Sequence, residues 1–150
     1  MRALASRAFA VKALAITVVL FALSGCASQA AAPASSGGVA AHGGVVILVS
    51  EVPHLPVSLK TTQQMLASHS ADHVSIVVCG KALTAIERGS PQAPLLDQAI
   101  SHGVRVVACE LSMHKLGVKK TDLEPGVVSV PNGLLEVIRL QRLGYASVEI

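Results

Sequence analysis

Two cysteines in the second half of the chain have the residue type and position of a reactive thiol. Cys79 follows the apolar segment 75–78, and Cys109 follows the valine-rich segment 104–108. If these segments are parallel strands, both cysteines lie at the carboxyl edge of the sheet, where ligands meet such folds. A thiolate there could act as a nucleophile, whereas a thiol enclosed in the core would be an inert apolar side chain. The residues alone leave both alternatives open.

Cys109 is the stronger candidate because a short helix is predicted directly after it, at residues 111–116. Amides at the start of a helix stabilise a thiolate, and the Ser112 hydroxyl could donate a hydrogen bond to the sulfur. Glu110 opposes the thiolate. Positive charge that favours it comes from His114, Lys115, Lys119 and Lys120. We therefore predict Cys109 as the reacting residue, with Ser112 and His114 as binding residues and Cys79 as a second thiol.

Other chemistries find little support. The six histidines have no spacing that fixes converging ligands, so we expect no metal and no other cofactor. The segment 79–84 lacks the glycine spacing of a phosphate-binding loop. Serine, histidine and aspartate are present, but no nucleophile elbow accompanies them. Thiol chemistry is the reaction class that remains.

The elements that must position these thiols alternate between strands and helices. Apolar β-branched segments, typical of buried strands, cover residues 45–49, 74–78, 104–108, 127–130 and 145–150. Most of them start about one βαβ unit apart. Helices are predicted at 58–68 with Ser58 as cap, at 81–88, from Ser90-Pro91 to residue 102, at 111–116 and at 132–143. The predicted fold is a three-layer α/β/α sandwich with a mainly parallel sheet of about five strands.

The last helix has the clearest signals. Asn132 is its predicted N-cap, and Gly144 follows its end. Leu134, Val137, Ile138 and Leu140 are expected to form its buried stripe.

Residues 1–25 are typical of an export signal. Basic residues precede the apolar stretch 13–23, which is shorter than the about 20 residues that a membrane span needs. The stretch ends in Leu23-Ser24-Gly25-Cys26, which resembles the lipobox of bacterial lipoproteins and implies lipidation of Cys26. The alternative is an ordinary secretory signal with an incidental cysteine. Acyl chains on Cys26 would anchor the protein to a membrane.

Location follows from the same segment. The anchor implies the bacterial cell envelope, and Ala27 after the cysteine implies the periplasmic face of the outer membrane in a Gram-negative organism. Export also brings the protein into oxidising surroundings, where Cys79 and Cys109 could pair if their Cα atoms lie within about 7 Å.

The residues after the signal divide into a tether and one domain. Residues 26–44 are small and uncharged, as in a flexible linker, and a domain is predicted at 45–150. The formal net charge of +3 comes from three basic residues of the signal, because nine basic and nine acidic residues follow it. We therefore expect no nucleic-acid partner.

Several segments of the second half together resemble the DsrE/DsrF-like family, in particular its small single-domain members related to YchN. The resemblance covers about residues 44–150. It rests on segments 77–83, 104–113, 117–118, 122–127, 130–133 and 141–145, which include Ala108-Cys109, Ser112-Met113 and Val130-Pro131-Asn132-Gly133. The sequence departs from the family pattern at Cys79 and in its short first helical region.

The resemblance implies a five-stranded sheet between helices and assembly into trimers or hexamers. It also implies a sulfur carrier that holds a persulfide on Cys109 and exchanges it with a sulfur donor or acceptor protein. We accordingly expect a membrane-anchored domain with a role in sulfur binding or transfer. The alternative is a non-catalytic oligomeric interaction module on the same fold, with its thiols buried or paired.

Overall fold

Five short strands form one parallel sheet in the computed structural model, which describes residues 43–150. The order across the sheet is β4-β3-β2-β1-β5. The strands are β1 (Val45–Val49), β2 (Val74–Val78), β3 (Arg105–Cys109), β4 (Val128–Val130) and β5 (Ala146–Glu149). Every pairing is parallel. The predicted signal 1–25, Cys26 and the tether up to residue 42 lie outside the described residues.

Four α-helices and two 3₁₀ segments connect the strands. The helices are α1 (His54–Ala67), α2 (Ala93–Ser101), α3 (Glu110–Leu116) and α4 (Gly133–Arg142). The 3₁₀ segments are Gly80–Ile86 and Lys120–Asp122. Among residues 43–150, no helix combines the length and the apolar character needed to cross a membrane.

The two faces of the sheet bury different helices. On one face, β1, β2 and β3 pack with α1, α2 and the first 3₁₀ segment around Ile47, Ile76 and Val106. On the other face, Val77 and Val107 pack against Val137 and Leu140 of α4. This arrangement confirms the predicted three-layer α/β/α sandwich, because the alternating side chains of the central strands are covered on both sides.

The first two predicted helices differ from the structure. The first begins at His54 instead of Ser58, because Pro56 lies in its first turn, where a backbone N–H has no partner to lose. Ser58 is buried inside the helix and donates a hydrogen bond to the carbonyl of His54 at 2.9 Å. Residues 81–88 were expected to form an α-helix, but Gly80–Ile86 is a 3₁₀ helix.

The ends of the later helices follow their local signals more closely. The predicted start of α2 at Ser90-Pro91 is wrong, because α2 begins at Ala93 with Gln92 as N-cap, and the Ser90 hydroxyl accepts from the amide of Gln92 at 3.3 Å in the turn before the helix. Asn132 caps α4 as predicted and accepts from the amide of Leu134 at 3.0 Å. The predicted stripe of α4 is wrong in part, because Leu134 and Ile138 are exposed while Val137 and Leu140 are buried. The sheet face is narrow, so one α4 edge remains uncovered.

Candidate functional site

Cys79 and Cys109 lie opposite each other at the carboxyl ends of neighbouring strands. Val78 of β2 pairs with Ala108 of β3, so the next residue of each strand is a cysteine in the same register. Both cysteines point to the face covered by α4, two residues after Val77 and Val107 of that core. Both are free thiols. The fold thus brings together two thiols that are thirty residues apart in sequence.

Gly133, the first residue of α4, closes this site from above the sheet. Its backbone N–H donates a hydrogen bond to Cys109 Sγ at 3.2 Å. A Cβ at this position would lie 2.6 Å from Cys79 Sγ and 3.0 Å from Cys109 Cβ. Only a residue without a side chain lets the helix approach both cysteines so closely. No local pattern in the sequence indicates that Gly133 belongs to the site, although it lies in the segment Val130-Pro131-Asn132-Gly133 that contributes to the family resemblance.

The polar contacts of Cys109 lower its pKa. Burial acts in the opposite direction, but the amide of Gly133, then the amide and hydroxyl of Ser112, and finally the Cys79 thiol favour the thiolate. The hydrogen bond from Gly133 means that α4 supplies a thiolate-stabilising amide that the sequence had suggested for α3 alone. Cys109 is thus the thiol whose ionised form the site favours.

Cys79 has the opposite character. Burial, then the charge and hydrogen-bond acceptance of Cys109, raise its pKa to about 12. Of the two thiols, Cys109 therefore ionises more readily, and the Cys79 thiol donates a hydrogen bond to the Cys109 sulfur.

Access to the pair differs between the two thiols. Cys109 is only 3% exposed, while Cys79 is half-buried. A cavity of about 250 Å³ lies next to the site, lined by Gly80, Lys81, Ser112, Lys115 and Leu116. Ser112 belongs to both the thiol environment and this cavity, and its Oγ accepts from the amide of Gly80 at 3.0 Å. The cavity suits a small anionic reactant because two lysines line it.

The remaining predicted residues lie elsewhere on α3. His114 lines a separate cavity of about 260 Å³ together with Glu110, Lys119 and Lys120. The Glu110 carboxylate accepts from Ser129 Oγ at 2.7 Å and forms an ion pair with Lys120 Nζ at 2.6 Å. Lys120 and Ser129 hold the pKa of Glu110 below its usual range. Its charge is thus compensated locally, and the structure gives His114 no shared cavity with Ser112.

An ion-pair cluster fixes α4 above the strand that ends in Cys109. Glu136 of α4 accepts from Arg105 of β3 at 2.6 Å and from Arg139 of its own helix at 2.8 Å. The hydrogen bonds of Arg139 outweigh burial and, with Arg105, lower the pKa of Glu136 to about 2. Because Glu136 lies one turn from Gly133, this cluster supports the register of the helix over the thiols.

Metal ligation has no structural basis within residues 43–150. No group of three or more His, Cys, Asp or Glu side chains in that range could hold a metal ion.

Comparison with protein families identifies a match in the second half of the chain. Residues 84–149 match the model of the DsrE/DsrF-like family. The matched segment contains Cys109, Ser112 and Gly133 and begins after Cys79. No curated protein matches the chain.

Solved structures share the fold at low sequence identity. A protein of unknown function from Methanobacterium thermoautotrophicum has 21% identity and a TM-score of 0.67, with 72% of this chain and 99% of that chain covered. The ychN protein from E. coli has 19% identity and a TM-score of 0.64 over the same shares. A conserved protein of unknown function from Bacteroides thetaiotaomicron has 14% identity and a TM-score of 0.60, covering 71% and 94%. These likenesses establish the fold.

Proposed function

We propose that this chain is a membrane-anchored member of the DsrE/DsrF-like family that binds sulfur as a persulfide on Cys109 and transfers it in the cell envelope. The family match over residues 84–149 supports the fold-level part of this proposal. The single observation that carries the chemical part is the hydrogen bond from the Gly133 amide to Cys109 Sγ at 3.2 Å. It lowers the pKa of Cys109 and so favours the nucleophilic thiolate.

The reaction begins with attack of the Cys109 thiolate on the sulfane sulfur of a donor. A new S–S bond forms on Cys109, and the bond between the sulfane sulfur and the rest of the donor breaks. The donor remnant leaves with the bonding electron pair, as in thiol–disulfide exchange. The acceptor thiolate then takes the outer sulfur in the same type of step, which regenerates the Cys109 thiolate.

The cavity beside Ser112 supports a small anionic donor. Lys81 and Lys115 line it, and its volume of about 250 Å³ suits an inorganic polysulfide or thiosulfate. A bulky donor has no direct path to a sulfur that is 3% exposed. The positive charge of the two lysines would attract the donor and, in the case of thiosulfate, stabilise the departing sulfite.

Mass spectrometry of the reduced, full-length protein tests this function. All variants carry Cys26→Ala so that the pair at the sheet edge supplies the remaining thiols. After incubation with inorganic polysulfide, Cys79→Ser should gain about 32 Da on Cys109, and dithiothreitol should remove it. Cys109→Ser should retain no added sulfur. Equal loading of both variants would contradict the proposal, because it would indicate non-specific surface chemistry.

A second candidate function, a non-catalytic oligomeric interaction module, is favoured by the apolar surface of α4. Leu134, Leu135 and Ile138 are exposed on this helix, next to the buried thiol site. Labelling of the reduced native protein with iodoacetamide, a small alkylating reagent, separates the two functions. Labelling of Cys109 supports the sulfur carrier, while a Cys109 that reacts only after unfolding supports the interaction module.

A further inference from the structure

Cys79 has a position that a simple sulfur carrier does not require. The register of β2 and β3 sets it directly opposite Cys109, one residue beyond the pair Val78 and Ala108. Neighbouring strands lie about 4.8 Å apart. Disulfides join residues whose Cα atoms are about 4.4 to 6.8 Å apart. The backbone therefore already holds the two cysteines within bonding range.

The side chains of Cys79 and Cys109 are also placed so that a disulfide can form between them. Both cysteines point to the α4 face of the sheet, and both lie against the α-carbon of Gly133. The absent side chain of Gly133 leaves the space that the Cys79 sulfur occupies, because a Cβ there would be 2.6 Å from Sγ. The thiols interact with each other directly, with Cys79 as donor and Cys109 as acceptor. No rearrangement of the strands is needed for the sulfurs to react.

We infer that Cys79 is a resolving residue that attacks the persulfide of Cys109, releases its outer sulfur as sulfide and leaves a Cys79–Cys109 disulfide. This inference rests on the proposed function, since Cys109 must first carry the sulfur. It adds a reductive half-reaction to the carrier role. The product of the site is then hydrogen sulfide instead of a persulfide passed to an acceptor.

The step balances without an external oxidant. The Cys79 sulfur forms a bond to Cys109 Sγ, and the bond between Sγ and the outer sulfur breaks. The outer sulfur leaves with the electron pair and is reduced to sulfide, while the Cys79 sulfur is oxidised to the disulfide level and Cys109 Sγ keeps the oxidation state that it had in the persulfide. The persulfide is an anion, and the proton of the Cys79 thiol passes to its outer sulfur, which leaves as hydrosulfide, the ionised form of hydrogen sulfide. A dithiol reductant would then return the disulfide to two thiols.

The protonation states of the two thiols are consistent with this order of steps. In the resting site Cys109 is the thiolate that takes up sulfur, and Cys79 keeps its proton. Once Cys109 carries the outer sulfur, the negative charge that faced Cys79 moves to that sulfur. The Cys79 proton can then pass to the departing sulfur. This transfer leaves a thiolate on Cys79, which is the nucleophile, and it neutralises the charge on the leaving group in the same step.

The experiment compares the fate of the sulfur in four full-length proteins, all with Cys26→Ala. They are the otherwise unchanged chain, Cys79→Ser, Cys79→Ala and the control Ser75→Ala, which removes one oxygen atom from the same strand. Each is reduced, treated with inorganic polysulfide, desalted and measured by intact and peptide mass spectrometry. A parallel reaction uses thiosulfate, whose leaving group is sulfite, so that any sulfide comes from the resolving step.

The unchanged chain and Ser75→Ala should lose about 2 Da, yield a peptide linking Cys79 to Cys109 and release sulfide from thiosulfate. Both Cys79 variants should keep the added sulfur on Cys109 and release no sulfide. A stable persulfide on the unchanged chain, or sulfur found on Cys79, would overturn the resolving role while leaving the carrier role intact. Failure of the Cys79 variants to take up sulfur would instead overturn the proposed function.

Discussion

Ser112 contacts Cys109 and also lines the neighbouring cavity of about 250 Å³. Its amide and hydroxyl favour the Cys109 thiolate, while its oxygen accepts from the amide of Gly80. This accepted hydrogen bond orients the hydroxyl, so that its proton is available to the sulfur. A single serine thereby couples the loop after β2 to the nucleophile at the end of β3.

Replacement of this hydroxyl should weaken the nucleophile. In Ser112→Ala we expect a higher pKa of Cys109 and alkylation up to about tenfold slower near neutral pH, because the thiolate loses a donor. The measurement is the pH dependence of iodoacetamide labelling at Cys109, read by peptide mass spectrometry in the Cys26→Ala chain. Ser101→Ala, at the exposed end of α2, serves as the control. An unchanged pH profile in Ser112→Ala would contradict the role of the hydroxyl.

Gly133 provides a steric test of the same site. Gly133→Ala should destabilise the fold by about 1 to 3 kcal/mol, because the new Cβ would lie 2.6 Å from Cys79 Sγ. Cys79→Ala should offset part of this loss, since it removes the sulfur that the methyl group meets. Urea unfolding of both single variants and the double variant measures this coupling. Additive losses in the double variant would mean that α4 does not depend on the contact.

At the scale of elements, α4 connects the thiol site with the rest of the sheet. Val137 and Leu140 bury its inner face on Val77 and Val107, while the Glu136 cluster ties it to β3. Asn132 caps its first turn and so frees the Gly133 amide to face Cys109. Displacement of this one helix would remove a hydrogen-bond donor from the thiolate and open the Cys79 pocket.

The Glu136 cluster predicts a specific dependence of stability on pH. The pKa of Glu136 is lowered to about 2, and its usual value is about 4.3. Because the Glu136 carboxyl has a lower pKa in the folded state than in the unfolded state, its ionisation stabilises the fold at pH values above the unfolded-state pKa. This stabilisation is lost as the pH falls from about 5 towards 2. Glu136→Gln should therefore cost about 1 kcal/mol at neutral pH, because both arginine partners are partly exposed.

The difference in the free energy of unfolding between the original chain and Glu136→Gln should become smaller at low pH. Urea unfolding of the original chain and Glu136→Gln at pH 7 and pH 3 measures this change, with Glu51→Gln as an exposed-carboxylate control. A loss of stability that is the same at both pH values would contradict an electrostatic role for Glu136.

At the scale of the whole molecule, α4 exposes apolar side chains that its own sheet does not cover. Leu135 is 62% exposed, and Leu134, Ile138 and Leu143 are also exposed. Neighbouring apolar side chains on one surface are typical of contacts between proteins. The predicted trimer or hexamer would bury such a surface and add to a core in which aromatic side chains play little part.

Light scattering on the full-length Cys26→Ala protein measures this assembly. We expect a trimer or hexamer at micromolar concentration and dissociation in Leu135→Glu, because burial of a carboxylate without a partner is unfavourable. Val57→Glu is the control, since Val57 is exposed on α1 on the other side of the sheet. A monomeric original chain would contradict the prediction.

The lipid anchor is a separate prediction from the sequence outside the described residues. Cells fed labelled palmitate should incorporate it into the protein, and Cys26→Ala should abolish both the label and membrane retention. Cys79→Ser should keep both. Continued lipid labelling of Cys26→Ala would contradict the lipobox interpretation.

Local signals were sufficient for much of the fold. The β-branched segments predicted the strands to within a residue or two, and Asn132 and Gly144 marked the two ends of α4 correctly. These features depend on neighbouring residues, whose backbone preferences and caps act over a few positions. The same signals failed at residue 58, where burial of the serine and a first-turn proline allowed an earlier start of α1.

The site itself required the tertiary structure. Sequence placed Cys79 and Cys109 after strands, but only the order β3-β2 and its register bring them face to face. The position of Gly133 depends likewise on the packing of α4 across both strands. Strand order follows from which helix faces can be buried together, a property of distant residues that no local pattern contains. The candidate thiol was therefore readable from the sequence, while its partner thiol and its amide donor were decided by the fold.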